Sequence, residues 1–293
     1  MLSLLLHEGA TVAERSERRS TDPADAATGS RSVVSGDIWS LAWDREHLGY
    51  VIISRAFEDF VLVWPASYVV DEFVRPSFIV EDSDGQKLAT WPTRETGLGK
   101  HLLFERRASA LSDGEVRRIS ASLDADIDPE VGWATTPAPA GFDDLLVNRW
   151  HEWCFNDGHT DDMEGVYIDE RRLSACGGSA RILAEVFSLG PADARALFRG
   201  EQPITLEQAQ VLGGRLKRDP QEMLGGDPTE RFWSMLADPE FKAEVVSAVE
   251  RAGLTEGEVR RDAARDSYAL AARDDGHDRA RQKLLDALRR IGT

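Results

Sequence analysis

Four side chains in this 293-residue sequence are of the types that close a tetrahedral zinc site: His151, Cys154, His159 and Cys176. The first two stand i, i+3, which puts both on one face of a helix. No zinc-finger spacing accompanies them. Trp153 and Phe155 beside Cys154 instead predict a cysteine buried in a core. Asp157 to Asp162 has the acidic opening of a calcium loop without the rest of that pattern or its closing Glu. Gly97-Leu98-Gly99-Lys100 lacks the spacing of a phosphate loop and is predicted to be a turn. There is no nucleophile elbow and no His-Glu-x-x-His pair. From these residues no metal, cofactor or catalytic constellation is expected.

Two cysteines cannot supply a disulfide framework, which points to a reducing, cytoplasmic setting. Met1 to Leu6 is apolar but stops at His7-Glu8, with no basic lead. It is too short for a signal segment or a spanning helix, and no other apolar run approaches about 18 residues, so no membrane association is expected. Hydrophobic residues make up 42% and charged residues 30%, enough for ordinary cores. The 35 Lys and Arg against 52 Asp and Glu leave a net charge of −17, which argues against non-specific nucleic-acid binding. The excess is uneven. Residues 1–140 carry −9 and residues 141–170 carry −8, whereas 171–226, with eight basic and six acidic groups, carry +2 and 227–293 carry −2. One mildly basic stretch lies inside an acidic chain, and the acidic surface around it suits a protein partner.

The elements that would position these groups fall into five segments. Residues 1–34, rich in Ser, Thr, Ala, Asp and Arg without periodicity, are predicted to be a disordered tail. Residues 35–127 carry short β-branched and aromatic runs at Asp37–Trp43, Tyr50–Ser54, Phe60–Pro65 and Phe78–Val80, the pattern of a small antiparallel barrel. Ser112 and Glu115 then form a capping box that opens a short helix. Residues 128–141, with Thr135-Thr136-Pro137-Ala138-Pro139, read as a linker. Residues 142–226 begin with an amphipathic helix at 143–155 and continue as helices, as do 227–293, which supply packing or a dimer surface. A second, degenerate pair of helices around Leu254–Ala272 is an alternative for part of that last segment.

Gly36-Asp37-Ile38-Trp39, a strand ending in Ile-Ile-Ser, a Val-Leu-Val-Trp-Pro strand and the later helix follow in an order that resembles the MazF/PemK family. That resemblance covers about 90 residues and implies an SH3-like barrel, a fold that includes toxin ribonucleases. The family's ribonucleases place an Arg-Pro pair before the second strand. Here His47-Leu48-Gly49-Tyr50 stands in that place, while Ser67 occupies roughly the family's hydroxyl position. RNA cleavage needs a base and a cation at the phosphorane, and Arg45, Arg55 and Arg75 do not stand where the family has its cation. The resemblance therefore implies a barrel kept for binding or dimer contacts, with an RNA endonuclease as the alternative.

In 180–226 the apolar residues Leu183, Ala184 and Phe187 share one helical face. Ser188-Leu189-Gly190 breaks the helix, Pro191 fits the first position of the next, Ala194, Leu197 and Phe198 form its inner stripe, and Gly200 ends it. Pro203-Ile204-Thr205 leads into a further helix that closes on Asp219-Pro220-Gln221-Glu222-Met223-Leu224. Small Ala184 lets two helices cross closely. This resembles the Xre/Cro/lambda-repressor class of helix-turn-helix domains, at 171–226, although that class usually has Gly where Ser188 stands. The resemblance implies a DNA-binding transcriptional regulator, and double-stranded DNA as partner. It places Pro191, Ala192, Asp193 and Arg195 at the base edges of the major groove, with Arg199, Lys217 and Arg218 on phosphates. Of the base-facing set only Arg195 reads guanine bidentately, Asp193 can accept from cytosine N4, and Ala192 offers no side-chain hydrogen bond. Such a weak set implies modest, salt-dependent binding by a homodimer.

The expected fold class is therefore α+β: a small antiparallel SH3-like β-barrel, then an all-α helix-turn-helix domain and C-terminal helices. The pairing of the two resemblances suggests a toxin–antitoxin or phage-defence setting. A helix-turn-helix kept as a protein-interaction module is the rival from another class.

Overall fold

The computed structural model describes residues 32–155, 165–271 and 279–293, which divide into two units. Most of the predicted tail, and Asp157–Asp162 with His159, lie outside the described residues. The first unit comprises 32–155 together with Ala237–Val246. Its centre is a curled antiparallel sheet, a half-barrel, of β1 (Asp37–Trp43), β2 (Glu46–Ala56), β3 (Phe60–Ser67), β4 (Phe78–Glu81), β5 (Lys87–Thr90), β6 (Thr96–Gly99) and β7 (Leu103–Ser109). The order is β4-β5-β3-β2-β1-β7, with β6 also paired to β3.

Alternation along the strands sends side chains to two faces, and both are covered. Trp39, Leu41, Val51, Ile53, Val61 and Val63 point to one face, where they meet Leu146, Trp150 and Trp153. Those three stand i, i+4, i+7 on α2 (Phe142–Phe155), a single helical stripe. Ile38, Ile52, Trp64 and Ala66 point to the other face, against Val116 and Ile119 of α1 (Asp113–Asp124). The expected capping box opens α1: Ser112 Oγ accepts from Glu115 N at 3.3 Å and Glu115 Oε2 accepts from Ser112 N at 2.7 Å.

Three local expectations change here. Gly97-Leu98-Gly99 is not a turn but the body of β6, paired with Leu62, Val61 and Phe60. A Cβ on Gly99 would lie 2.3 Å from the His101 ring, so the glycine serves close packing. The stretch read as a linker is tied to the sheet edge: Ala134 N donates to Ser77 O (2.8 Å), Arg75 N to Thr136 O (3.0 Å), and Trp133 meets Phe78 edge-on. The helix at 142–155, assigned from sequence to the second domain, packs in the first unit because its Leu-Trp-Trp stripe completes the sheet's core.

The second unit comprises 165–236 with 247–271 and 279–293. It is not all-α. β8 (Gly165–Ile168) pairs with β9 (Ile204–Thr205) and β10 (Leu224–Gly225) in a small antiparallel sheet, whose strands are too short to show a period-2 pattern in sequence. Its helices are α3 (Glu170–Ala175), α4 (Ala180–Phe187), α5 (Pro191–Phe198), α6 (Leu206–Leu216) and α7 (Glu230–Leu236). After these come α8 (Lys242–Ala252), which starts in the first unit's segment, α9 (Glu256–Ala271) and α10 (Ala280–Arg290). The degenerate helix pair considered for Leu254–Ala272 is instead the continuous α9, because no Gly or Pro interrupts 258–271. Within α9 the buried Arg260 donates to Glu256 Oε1 one turn away, at 2.6 Å. Among the described residues no helix is long and apolar enough to cross a membrane.

The segment Ala237–Val246 delivers a lysine into the first unit. Lys242 is 1% exposed; its Nζ donates to Ala42 O (2.8 Å) and His101 O (2.9 Å) and lies 5.5 Å from the Trp43 ring centroid. An ammonium stripped of water is tolerated only when such acceptors replace it, and truncation would strand both carbonyls. Lys242→Ala is therefore expected to destabilise the first unit by about 2–3 kcal/mol, measured by denaturant unfolding followed through tryptophan fluorescence. An unchanged midpoint would show that the two carbonyls do not depend on the ammonium.

Candidate nucleic-acid interface

The second unit's basic stretch is built around one core. Leu183 of α4, Ala194 and Leu197 of α5, and Ala209 and Leu212 of α6 are buried together with Ile168, Leu173 and Met223. Ser179 caps α4 by accepting from Ile182 N, and Thr205 with Gln208 forms a capping box on α6. The link from α4 to α5 is only Ser188, Leu189 and Gly190. Ser188 closes α4 in the left-handed region (φ 54°), and its N–H and that of Leu189 donate to Ala184 O. Pro191 then occupies the first position of α5, where a missing N–H costs nothing. At the end of α5, Gly200 takes φ 68°, and a Cβ there would sit 2.7 Å from Ile168 O. Only glycine allows this approach of α5 to β8.

This frame separates the residues singled out from sequence. Ala192, Asp193 and Arg195 are all exposed on the first half of α5. Arg195 makes no ion pair or hydrogen bond among the described residues. Lys217 is also exposed, held at φ 54° at the end of α6, with no side-chain partner among the described residues. Arg199 and Arg218 are engaged. Arg199 Nε lies 3.0 Å from Glu201 Oε1, whose side chain is only 10% exposed, and its carbonyl accepts from Tyr268 Oη at 3.2 Å. Burial, together with the nearby Glu201 and Glu170 carboxylates, raises the Tyr268 hydroxyl above its ordinary pKa. Arg218 lies 3.7 Å from Glu222, and both line an open cavity of about 420 Å³ with Arg172, Ala175 and Cys176.

Of the eight cations in 171–226, Arg172, Arg181, Arg199 and Arg218 are ion-paired to Asp169, Glu185, Glu201 and Glu222. The remaining four, Arg171, Arg195, Arg215 and Lys217, have no such pair among the described residues and are exposed. Arg171 and Arg215 were not singled out from sequence. For Arg171 the sequence carries a signal, since no acid stands three or four residues away on either side; Arg215 has Asp219 at i+4, and only the end of α6 at Leu216 leaves it without that pair.

Among the described residues no group of three His, Cys, Asp or Glu side chains is placed to hold a metal. Cys154 is exposed rather than core, with Sγ 2.8 Å from Thr96 Oγ1, because Trp153 takes the buried position on α2. In the first unit Ser67 is buried and its hydroxyl accepts from Val69 N at 3.1 Å. Arg45 precedes β2 and Arg55 lies near its far end, roughly 30 Å away at strand rise. Arg55 lies 6.0 Å from the Phe57 ring centroid, and Arg75 Nε donates to Ala134 O. These groups do not converge on one phosphate. No family model, curated protein or solved structure matches this chain.

Two substitutions test the frame. Ser188→Gly is expected to raise the stability of the second unit by about 1 kcal/mol, since a left-handed serine pays a steric cost that glycine avoids. Arg199→Ala is expected to lower it by about 1–3 kcal/mol, because Glu201 would be left nearly buried without its cation. Chemical denaturation of each variant reads both signs; a destabilised Ser188→Gly or a neutral Arg199→Ala would contradict this account of the turn and the pair.

Proposed function

We propose that this chain is a sequence-specific DNA-binding regulator of transcription, using α4 and α5 as a helix-turn-helix of the Xre/Cro/lambda-repressor kind. The observation that carries the reading is the α4–α5 pair: two short helices joined by three residues, with Arg195 unpaired on the exposed first half of the second. In this reading α5 enters the major groove. Arg195 donates to guanine N7 and O6, Asp193 accepts from cytosine N4, and Ala192 packs without a hydrogen bond. Lys217 and Arg171 neutralise phosphates. Arg199 serves the frame through Glu201 rather than the phosphate. Lys217 supports the assignment in a second way, since a non-glycine residue held in the left-handed region keeps an unpaired charge at a cost of about 1 kcal/mol.

With few base readers and an acidic remainder that repels DNA, affinity is modest and steeply dependent on salt, and two copies on paired half-sites supply the rest. The curled sheet of the first unit is read as an SH3-like barrel of MazF/PemK kind, kept for binding rather than RNA cleavage. The support is that Ser67 is turned onto backbone and that Arg45 and Arg55 stand far apart. The pairing of the two parts suits a toxin–antitoxin or phage-defence setting. One observation favours a second reading, a helix-turn-helix that binds protein: half of the stretch's cations are already paired within the unit.

Selection from a pool of random duplexes at low salt decides between them. The wild-type chain is expected to enrich a sequence with half-sites about 10 base pairs apart. Arg195→Ala should weaken binding by roughly 5- to 150-fold and relax one base position. Lys217→Ala should weaken all sequences alike and flatten the salt dependence by about one charge. No enrichment by folded protein at low salt would overturn the DNA reading in favour of the protein-binding one.

A further inference from the structure

We propose that α6 is a self-complementary docking surface on which a second copy of this chain pairs, antiparallel, about Val211. The proposal names the surface of the dimer that the DNA-binding reading calls for, and it rests on that reading only for the need of a second copy.

Three observations on α6 converge. Its outer face exposes an aliphatic side chain, Val211, at 52%. Glu207 and Arg215 lie one turn before and one turn after Val211 on the same i, i+4 row, both exposed and without an ion pair among the described residues. The third observation is Gly214. Gly213 beside it is required, since a Cβ there would lie 2.8 Å from Arg218 O, whereas a Cβ on Gly214 would meet nothing within 4 Å. A glycine inside a helix is unfavourable relative to alanine, and no contact among the described residues explains it.

A two-fold axis at Val211 explains all three. Four residues of helix rise about 6 Å, so an antiparallel copy brings Glu207 of one chain opposite Arg215 of the other, twice by symmetry. Gly214, on the same face, lets the two backbones approach, and Val211 meets its symmetry mate at the centre. The helix dipole alone accounts for an acid in the first turn and a base in the last, but not for Val211 or Gly214. One helix pair buries less than the roughly 800 Å² per partner of a stable interface, so the dimer is concentration-dependent.

Sedimentation of the full chain over a range of concentrations tests this without DNA, so failure of the dimer and failure of the DNA reading are told apart. A monomer–dimer equilibrium is expected. Glu207→Arg or Arg215→Glu alone sets like charges opposite one another and should weaken it at least tenfold. The double swap Glu207→Arg/Arg215→Glu should restore it to within about threefold. Gly214→Ala should weaken the dimer while raising the melting temperature of the dilute, monomeric chain. A chain that stays monomeric throughout, single swaps without effect, or a double swap that fails to restore would each overturn the proposal.

Discussion

Leu183, Leu197 and Leu212 leave water together, and the aim of the cations on α4, α5 and α6 depends on that burial. Each contributes on the order of 2 kcal/mol of transfer free energy, but their geometric effect matters more. With these three in contact, α4, α5 and α6 are held face to face, and the residues between the inner positions must point outward. The small residues complete the constraint. Gly200 brings the end of α5 to within van der Waals contact of β8, and Gly213 makes room for the chain that returns through Arg218 and Pro220. A larger residue at either place would move the helix that carries Arg195 or the turn that carries Lys217.

The charges then sort themselves by what this frame puts within reach. Arg199 follows directly after α5 and finds Glu201 two residues on, in a half-buried position where the pair is hydrogen-bonded at 3.3 Å through Nη2 and Oε2. Arg181 meets an acid one turn along its own helix, and Arg218, in the turn after α6, meets Glu222 four residues on. Surface pairs of this kind add little stability; their consequence here is subtractive, because they withdraw cations from any outside partner. A stretch that is +2 by formal count thus offers Arg171, Arg195, Arg215 and Lys217, and its field is local inside an acidic chain.

The first unit solves a different problem. A curled sheet with apolar residues on both faces needs two covers. α1 and α2 provide them, each with a stripe at helical spacing. The buried ammonium of Lys242 belongs to the same unit. Its two carbonyl acceptors and the face of Trp43 replace water, so a segment distant in the chain that also buries Phe241 and Val245 is anchored by polar chemistry as well as by apolar area.

Much of this was legible in the order of residues. β1 appears as the alternating Asp37–Trp43 run, and β2 to β4 around their predicted cores. Ser112 with Glu115, the break at Ser188–Gly190, Pro191 and the stop at Gly200 all stand where local chemistry puts them, because caps, breakers and period are properties of a few neighbouring residues. The exposed set Ala192, Asp193, Arg195 follows from the same periodicity. Tertiary structure alone decided the rest. Strands of two residues at Ile204–Thr205 and Leu224–Gly225 exist only because β8 pairs with them. α2 carries an apolar stripe that any core would accept, and only the uncovered face of the sheet selected its partner. Arg199 and Arg195 are alike in sequence, yet one is spent on Glu201 and the other is not. The sequence by itself determined the longer helices and strands, with their caps and breaks, and which of their faces are apolar, since those depend on near neighbours. Which apolar faces meet, and which charges remain unpaired afterwards, depend on residues far apart in the chain, and only the folded structure brings those together.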